Sequence, residues 1–485
     1  GHRRQLQGTR IALLKGQIYR WVVDRDGNPV AAQRKDEEGS TILTRVEGST
    51  RFKEVYSFKD EDDDATVNLL ALTPSQRQII VSAYNGNDTL GLFEFDPATG
   101  ELGELIFHRE GVDILGILMD SISGEIIAAV YEVGGSLRYH YFASFGSSLI
   151  ADLRKMFPKD SIQIMSTSAD RSKYVFGISG ATNPGVYYYR DTRSDTTIKI
   201  ADRGAGLDLD SLREVDSFIV ESKDGTEIEA FLTLPEPNPG FAAPLVVMPH
   251  GGPIDVRDRK QFDPLVQYLA SWGFAILQPN YRGSSGYGLK FTHSAKKAWA
   301  TGIEDDIDAA VEYAMALPEI DGNRVCIYGW SYGGFSALAS IVRHKDRYCC
   351  AVSVNGVSDI PLMADSSDIA DTKSAMKYFE NYIGDLETES GRAKLIAASP
   401  AYHVQEIETP LLLIFGTEDR RVDPDNSHRM LLMLETYGKE HDSIEMDGMF
   451  HGATRDEYIR IAREIRRYLT RFLFSSEEFQ HDPIH

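Results

Sequence analysis

Three residues of this 485-residue chain could act together as nucleophile, base and orienting acid, although they stand far apart in sequence. Ser331 lies in Gly329-Trp-Ser-Tyr-Gly-Gly334, between the apolar run Val325–Tyr328 and the helix-like run Phe335–Val342. A G-x-S-x-G turn between a strand and a helix holds a serine hydroxyl proud of a sheet edge, and its glycines leave room where the two backbones crowd together. A serine hydroxyl is a poor nucleophile near neutral pH. It needs a base within hydrogen-bond reach, and the base needs a carboxylate to fix its ring. With Gly and Ser each near 7% of residues, the pentapeptide alone arises by chance in about one chain in six of this length. The chemistry therefore rests on its partners.

Two follow it. Asp419, in Phe415-Gly-Thr-Glu-Asp-Arg-Arg-Val422, comes directly after the apolar strand Leu411–Phe415, at the strand end where open sheets carry their sites. Glu418 and Asp423 are its local competitors, and a surface turn paired with Arg420 is the non-catalytic alternative. His451, in Asp447-Gly-Met-Phe-His-Gly452, follows the last strand and precedes the last helix. His344 and His428 fall on predicted helices, and His403 and His441 fall in loops that do not follow a sheet strand. A developing oxyanion needs donors aimed at it. The N–H of Tyr332 is one candidate. The other comes from Gly251 or Gly252, in His250-Gly-Gly-Pro253 after the first long strand, where paired glycines let the backbone turn its amides inward. This chemistry requires neither a metal nor a cofactor. The acidic run Asp60–Asp64 lacks the interleaved Gly and terminal Glu of a calcium loop, so it reads as a solvated loop.

The elements that must position these residues alternate. Strands are predicted at Leu245–Met248, Ala275–Gln278, Val325–Tyr328, Ala351–Val354, Leu411–Phe415 and Ser443–Met446. Helices are predicted at Phe262–Trp272, Gly302–Ala316, Ser427–Tyr437 and Glu457–Phe474. A hairpin over Phe218–Leu234, turning on Asp224-Gly225, precedes them. Such alternation predicts a doubly wound, mostly parallel sheet with helices on both faces. The order Ser, Asp, His is that of an α/β-hydrolase domain, which the sequence places at 211–485.

Residues 1–210 read differently, as short β-like runs with one helix-like piece at Ser147–Phe157. Turns starting at Asp24, Thr73, Asp120 and Ser168 each precede a β-rich run, at a spacing of nearly 50 residues. A repeat of this size, with about four strands per unit, predicts the blades of a β-propeller. Closure with more than four blades is commoner, so further blades before Gly1 are expected.

Composition excludes several classes. Against 51 Lys and Arg stand 73 Asp and Glu, a net charge of −22 that argues against nucleic acid as the main partner. No apolar run reaches the length of a membrane span. The three cysteines form no C-x-x-C pair; Cys326, Cys349 and Cys350 sit in apolar runs and read as buried thiols. This favours a soluble, cytoplasmic protein over a periplasmic or secreted one. Self-association into a homo-oligomer is left open.

His250–Pro253, Asn280-Tyr-Arg-Gly-Ser-Ser-Gly-Tyr-Gly288, Gly329–Gly334, Gly416-Thr-Glu-Asp419 and His451, in that order, resemble the prolyl oligopeptidase family of serine peptidases, particularly its acylaminoacyl-peptidase and dipeptidyl-peptidase-like bacterial members. The resemblance implies Ser331 as nucleophile, Asp419 as orienting acid and His451 as base, with Tyr332 and Gly251 or Gly252 forming the oxyanion hole. It implies a substrate-binding role for Arg421, for which a salt bridge on its own loop is the alternative. Where prolyl oligopeptidases proper place a tyrosine, this chain has His250, which favours an all-backbone oxyanion hole. The implied activity is hydrolysis of short peptides or acylated N-termini, with the propeller restricting entry. A carboxylesterase using the same triad, and a propeller binding module fused to an inactive hydrolase, are the alternatives.

Overall fold

The computed structural model describes residues 14–475 apart from residues 15, 38, 60, 61, 121, 122 and 143. The strands up to Asp202 form four separate antiparallel sheets, the blades of a β-propeller. The turns marked by the repeat close the first hairpin of each blade. In every one the N–H of the leading residue (Asp24, Thr73, Asp120 or Ser168) bonds across the turn. The repeat was legible because the turn residues recur in phase with the hairpins. The third blade departs from it: it has three strands, Ile114–Met119, Ile126–Val133 and Ser136–Tyr141, and the chain then enters the helix Ser144–Met156. Leu149, Ile150 and Leu153 of that helix pack on Ile162, Tyr174 and Phe176 of the fourth blade, the apolar job a fourth strand would otherwise do.

From Val215 onward one eight-stranded sheet takes over. In spatial order its strands are Val215–Glu221, Glu227–Thr233, Ala275–Asn280, Ala243–Val247, Ile320–Trp330, Cys350–Val354, Leu411–Gly416 and His441–Met446. The first two form the expected antiparallel hairpin, and the other six run parallel. The result is an α/β-hydrolase fold. Alternate residues of each central strand serve opposite faces. Leu245, Val325, Ile327, Leu411 and Leu413 join a core covered by the helices Gly302–Met315 and Tyr332–Arg343. Val246, Cys326, Val352, Leu412 and Ile414 join a second core, under Pro264–Ser271 and Arg455–Leu473. The closing helix presents Ile461, Ile465, Tyr468, Leu469 and Leu473 inward at helical spacing and starts at a Thr454/Glu457 capping box.

Four expectations need correction. Cys326 and Cys350 are joined in a disulfide. They lie directly opposite one another on adjacent parallel strands, a proximity created by sheet register that no sequence spacing announces. Cys349 keeps a thiol, but it is half-buried and its Sγ lies 3.3 Å from the Asn323 carbonyl oxygen. The buried-thiol argument for a reducing compartment is thereby removed; among the described residues, no helix is long and apolar enough to cross a membrane.

His441 opens the last strand and does not sit in a loop. The acidic run is not simply solvated either. Asp60 and Glu61 lie outside the described residues, but Asp63 reaches the hydrolase domain, 2.5 Å from His293 Nε2.

Between Cys350–Val354 and Leu411–Gly416 the chain forms three further helices, Ile360–Ser366, Lys373–Tyr382 and Glu389–Ala398. Their N-caps Asp359, Thr372 and Thr388 each accept a backbone N–H from the first turn. Those caps are the sequence signal for helices that apolar periodicity alone does not reveal.

Candidate active site

The backbone at the elbow is forced. Ser331 has φ 58° and ψ −119°, a conformation costly for a residue with a side chain. A Cβ on Gly329 would stand 2.1 Å from the Gly333 carbonyl carbon, and one on Gly333 would stand 2.2 Å from the Pro249 carbonyl oxygen. Only glycine permits strand, helix and neighbouring loop to meet so closely. The hydroxyl of Ser331 is thus presented at the C-terminal edge of the sheet, ahead of the helix Tyr332–Arg343.

The three dispersed residues converge there. His451 Nε2 lies 3.0 Å from Ser331 Oγ, and His451 Nδ1 lies 2.7 Å from Asp419 Oδ2. Asp419 is 2% exposed, and its Oδ1 accepts the N–H groups of Arg421 at 2.8 Å and Val422 at 3.0 Å. With Oδ1 engaged by the backbone, Oδ2 faces the imidazole. The Nδ1 proton therefore belongs on the carboxylate side, and the Nε2 lone pair faces the hydroxyl. A serine proton can move to such a nitrogen while the carboxylate stabilises the imidazolium that forms.

Glu418 is tied by its own N–H to the Met449 carbonyl, and the Asp423 carboxylate accepts from Asp425 N–H at the start of the next helix. Neither touches His451. Asp308 engages His344 away from the site, and the Phe415 ring stacks edge-on against His428.

Gly251 arrives beside the elbow: a Cβ on it would meet the Trp330 carbonyl oxygen at 3.3 Å and Ser331 Cβ at 3.7 Å. Gly252 has φ +124°, a value open to glycine. Tyr332 begins its helix, so its N–H is among those with no intrahelical acceptor. His250 is held by Ser284 Oγ at 2.9 Å and Tyr281 Oη at 3.0 Å, with its ring stacked on Tyr281. Desolvation lowers its pKa to about 4, so it stays neutral beside the glycine loop at pH 7. Arg421 shares the Asp419 loop, but its guanidinium pairs with Asp368 at 3.0 Å.

Some positioning residues were not visible in the sequence. Asn355 (φ 46°) accepts Gly416 N–H at 2.9 Å through Oδ1 and donates through Nδ2 to the carbonyls of Phe450 and His451. It thereby couples the loops that carry the acid and the base. Trp330 Nε1 donates to the same His451 carbonyl at 2.9 Å. The motif Asn280–Gly288 has its roles in the structure as well. Asn280 brackets the backbone of Asp258, Tyr281 and Ser284 hold His250, and Arg282 pairs with Asp306 and Asp224. These contacts are long-range, and a single Asn or Arg announces none of them.

Beneath the elbow lies Glu304, 1% exposed, accepting Tyr332 Oη at 3.0 Å and Ser336 Oγ at 3.1 Å while its Oε2 has no partner. Burial lifts its carboxyl from 4.5 to about 7. The folded chain then keeps a proton that the unfolded chain releases, so this group's stabilisation is full below about pH 4.5 and declines as pH rises to 7. Glu304→Gln keeps the shape and removes the titration. We expect the variant to gain on the wild type between pH 5 and 8 by the equivalent of about 3 kcal/mol in thermal or urea unfolding. A stability difference that is constant across that range would show that Glu304 is ionised throughout.

Residues 260–475 match the model of the prolyl oligopeptidase family. Over 461 residues the chain is 27% identical to dipeptidyl aminopeptidase BIII of Pseudoxanthomonas mexicana, covering 93% of this chain and 66% of that protein. Over 204 residues it is 35% identical to the acylamino-acid-releasing enzyme of Sus scrofa, covering 41% of this chain and 27% of that protein. It thus spans less than two thirds of the length of either relative. Among solved structures, puromycin hydrolase superposes with a TM-score of 0.74 at 20% identity, over 94% of this chain and 69% of the other. The acylaminoacyl peptidase of Pyrococcus horikoshii superposes with a TM-score of 0.68 at 22% identity, over 94% and 69%. Those two likenesses concern the fold. Fold, sequence match and relatives agree in likening this chain to the prolyl oligopeptidase family, whose model its residues 260–475 match.

Proposed function

We propose that this chain is a serine peptidase that hydrolyses short peptides or acylated aminoacyl N-termini through an acyl-enzyme. One observation carries the reading: the unbroken line from Asp419 through His451 to Ser331, at 2.7 and 3.0 Å, on an elbow built for nothing bulkier than glycine. Ser331 is the nucleophile, His451 the general base and then the acid toward the leaving amine, and Asp419 the orienting acid. Tyr332 N–H and the N–H of Gly251 or Gly252 receive the oxyanion. Arg421 meets the substrate backbone, exchanging its Asp368 partner for a peptide carbonyl. Residues 1–210 act as the propeller filter and 211–485 as the peptidase domain. No cofactor or metal enters this chemistry, and the partners are short peptides.

A carboxylesterase is the second reading, because the same triad cleaves esters. The propeller favours the peptidase, since a filter over the site has a use when the substrates are chains of varied length. A panel of p-nitroanilides with free and blocked N-termini, run beside p-nitrophenyl esters, separates the two. We expect amide cleavage, with the blocked and free series differing. Ester cleavage with no amide cleavage would overturn the peptidase reading.

A further inference from the structure

The loop that carries Gly251 and Gly252 has no regular structure between residues 251 and 263, so other groups must hold it. Its two arginines, Arg257 and Arg259, converge on one carboxylate that belongs to the propeller. Glu132, on the third-blade strand Ile126–Val133, has a side chain only 1% exposed. Its Oε2 accepts Arg259 Nε at 2.8 Å, and its Oε1 faces Arg257 Nη2 at 3.5 Å. The Arg257 side chain is 2% exposed and continues the chain of contacts into the hydrolase sheet. It pairs with Glu229 at 3.1 Å, donates to Tyr287 Oη at 2.8 Å and packs over the Tyr287 ring. Lys260 N–H closes the same contact by bonding the Gly135 carbonyl, at the turn that follows Glu132's strand. The buried Arg257 and the partly exposed Arg259 thus meet at Glu132 of the propeller, and Arg257 pairs onward with Glu229 of the hydrolase sheet.

From this geometry we infer that Glu132 is a positioning residue for the Gly251–Gly252 loop, acting through Arg257 and Arg259. The propeller is then part of the machinery that aims the oxyanion donors, in addition to filtering substrates. The inference rests on the hydrolase reading above. The physical reason is charge balance. Without Glu132, Arg257 keeps Glu229 alone and Arg259 loses the carboxylate that its Nε bonds, and the unbalanced charge is relieved by moving the loop toward water. Arg257 lies five residues from Gly252, so that movement reaches the donors. A displacement of about 1 Å at a reacting group can cost on the order of 100-fold in rate.

The test is Glu132→Gln in the full chain, which keeps the volume and removes the charge. It is assayed on a p-nitrophenyl ester too small to be filtered and on a peptide p-nitroanilide. We expect kcat to fall about 10- to 100-fold on both substrates with KM within about three-fold. The fluorophosphonate acylation rate should fall in parallel, with the thermal transition still cooperative. Arg259→Gln, at a more exposed side chain, should lower kcat in the same direction, and the double variant should lose less than the product of the two. A folded Glu132→Gln or Arg259→Gln enzyme with kcat within two-fold of the wild type, or with a change in KM alone, would overturn the assignment. Should Glu132→Gln fail to fold, Arg259→Gln decides. Failure of the hydrolase reading would show in the wild type instead, which would then neither label nor hydrolyse either substrate.

Discussion

Ser331→Ala will abolish labelling by a fluorophosphonate probe and lower kcat by about 10^6-fold, with the fold retained. The size of the loss follows from what the hydroxyl supplies. It is the atom His451 Nε2 faces at 3.0 Å, and without it the acyl-enzyme path closes, leaving only binding and oxyanion donation to act on a water attack. The fold should survive because the elbow's strain resides in the backbone. The Ser331 N–H still bonds the Val354 carbonyl, and its carbonyl still accepts Phe335 N–H. Alanine tolerates φ 58° no worse than serine does, so the melting temperature should stay within a few degrees. Persistent labelling at another serine would mean that the nucleophile had been misassigned. Loss of a cooperative transition would mean that the hydroxyl has a structural role that its single side-chain contact does not suggest.

What could be read from the sequence was local, and what could not was made by register and by contacts between distant segments. Gly329 announces the elbow because its crowding against Gly333 arises within a few residues, whereas Gly333 is crowded by Pro249 and Gly334 by Ser353 and Gly356, from segments distant in sequence. Asp419 and His451 are legible because each follows a strand, and strand ends are where an open parallel sheet exposes its loops. The propeller is legible because its hairpin turns recur in phase.

By contrast, the Cys326–Cys350 disulfide exists because two parallel strands happen to align those positions. Asn355 couples the loops around Gly416 and His451 from a position that reads, in sequence, as an unremarked residue after a strand. Glu304 looks like an ordinary first-turn acid on a helix, yet it is buried against Tyr332 and Ser336. Asp63, Asp88, Asp113 and Glu132 gain meaning only when the blades dock on the hydrolase domain. There Gly288 and Lys290 donate to Asp113 and Asp88 through their backbone N–H groups. Secondary-structure signals cannot carry such information, because the docking geometry is a property of both domains at once.

Asp419→Asn isolates the orienting acid, and the hydrogen-bond pattern dictates its outcome. The Oδ1 position accepts two backbone N–H groups, from Arg421 and Val422, and an amide nitrogen there would set donor against donor. The asparagine must therefore keep its oxygen on the backbone side and turn its NH2 toward His451 Nδ1. That nitrogen then has to accept, which moves the ring proton to Nε2, the position from which a base must take the proton of Ser331. The ring geometry survives in the wrong tautomer. We expect kcat on a peptide p-nitroanilide to fall about 10^4-fold with KM little changed, and fluorophosphonate acylation to slow in proportion. A two-fold effect would place the orienting charge on another carboxylate. Glu418 and Asp423 are the carboxylates beside it on the loop; Asp423 would have to release Asp425 N–H, and Glu418, its backbone fixed by the Met449 carbonyl, would have to turn its side chain to the imidazole. A large rise in KM with kcat preserved would show instead that the Asp419 loop serves binding through Arg421, whose N–H depends on the same carboxylate. The separation of kcat from KM thus reads out the proton position at His451.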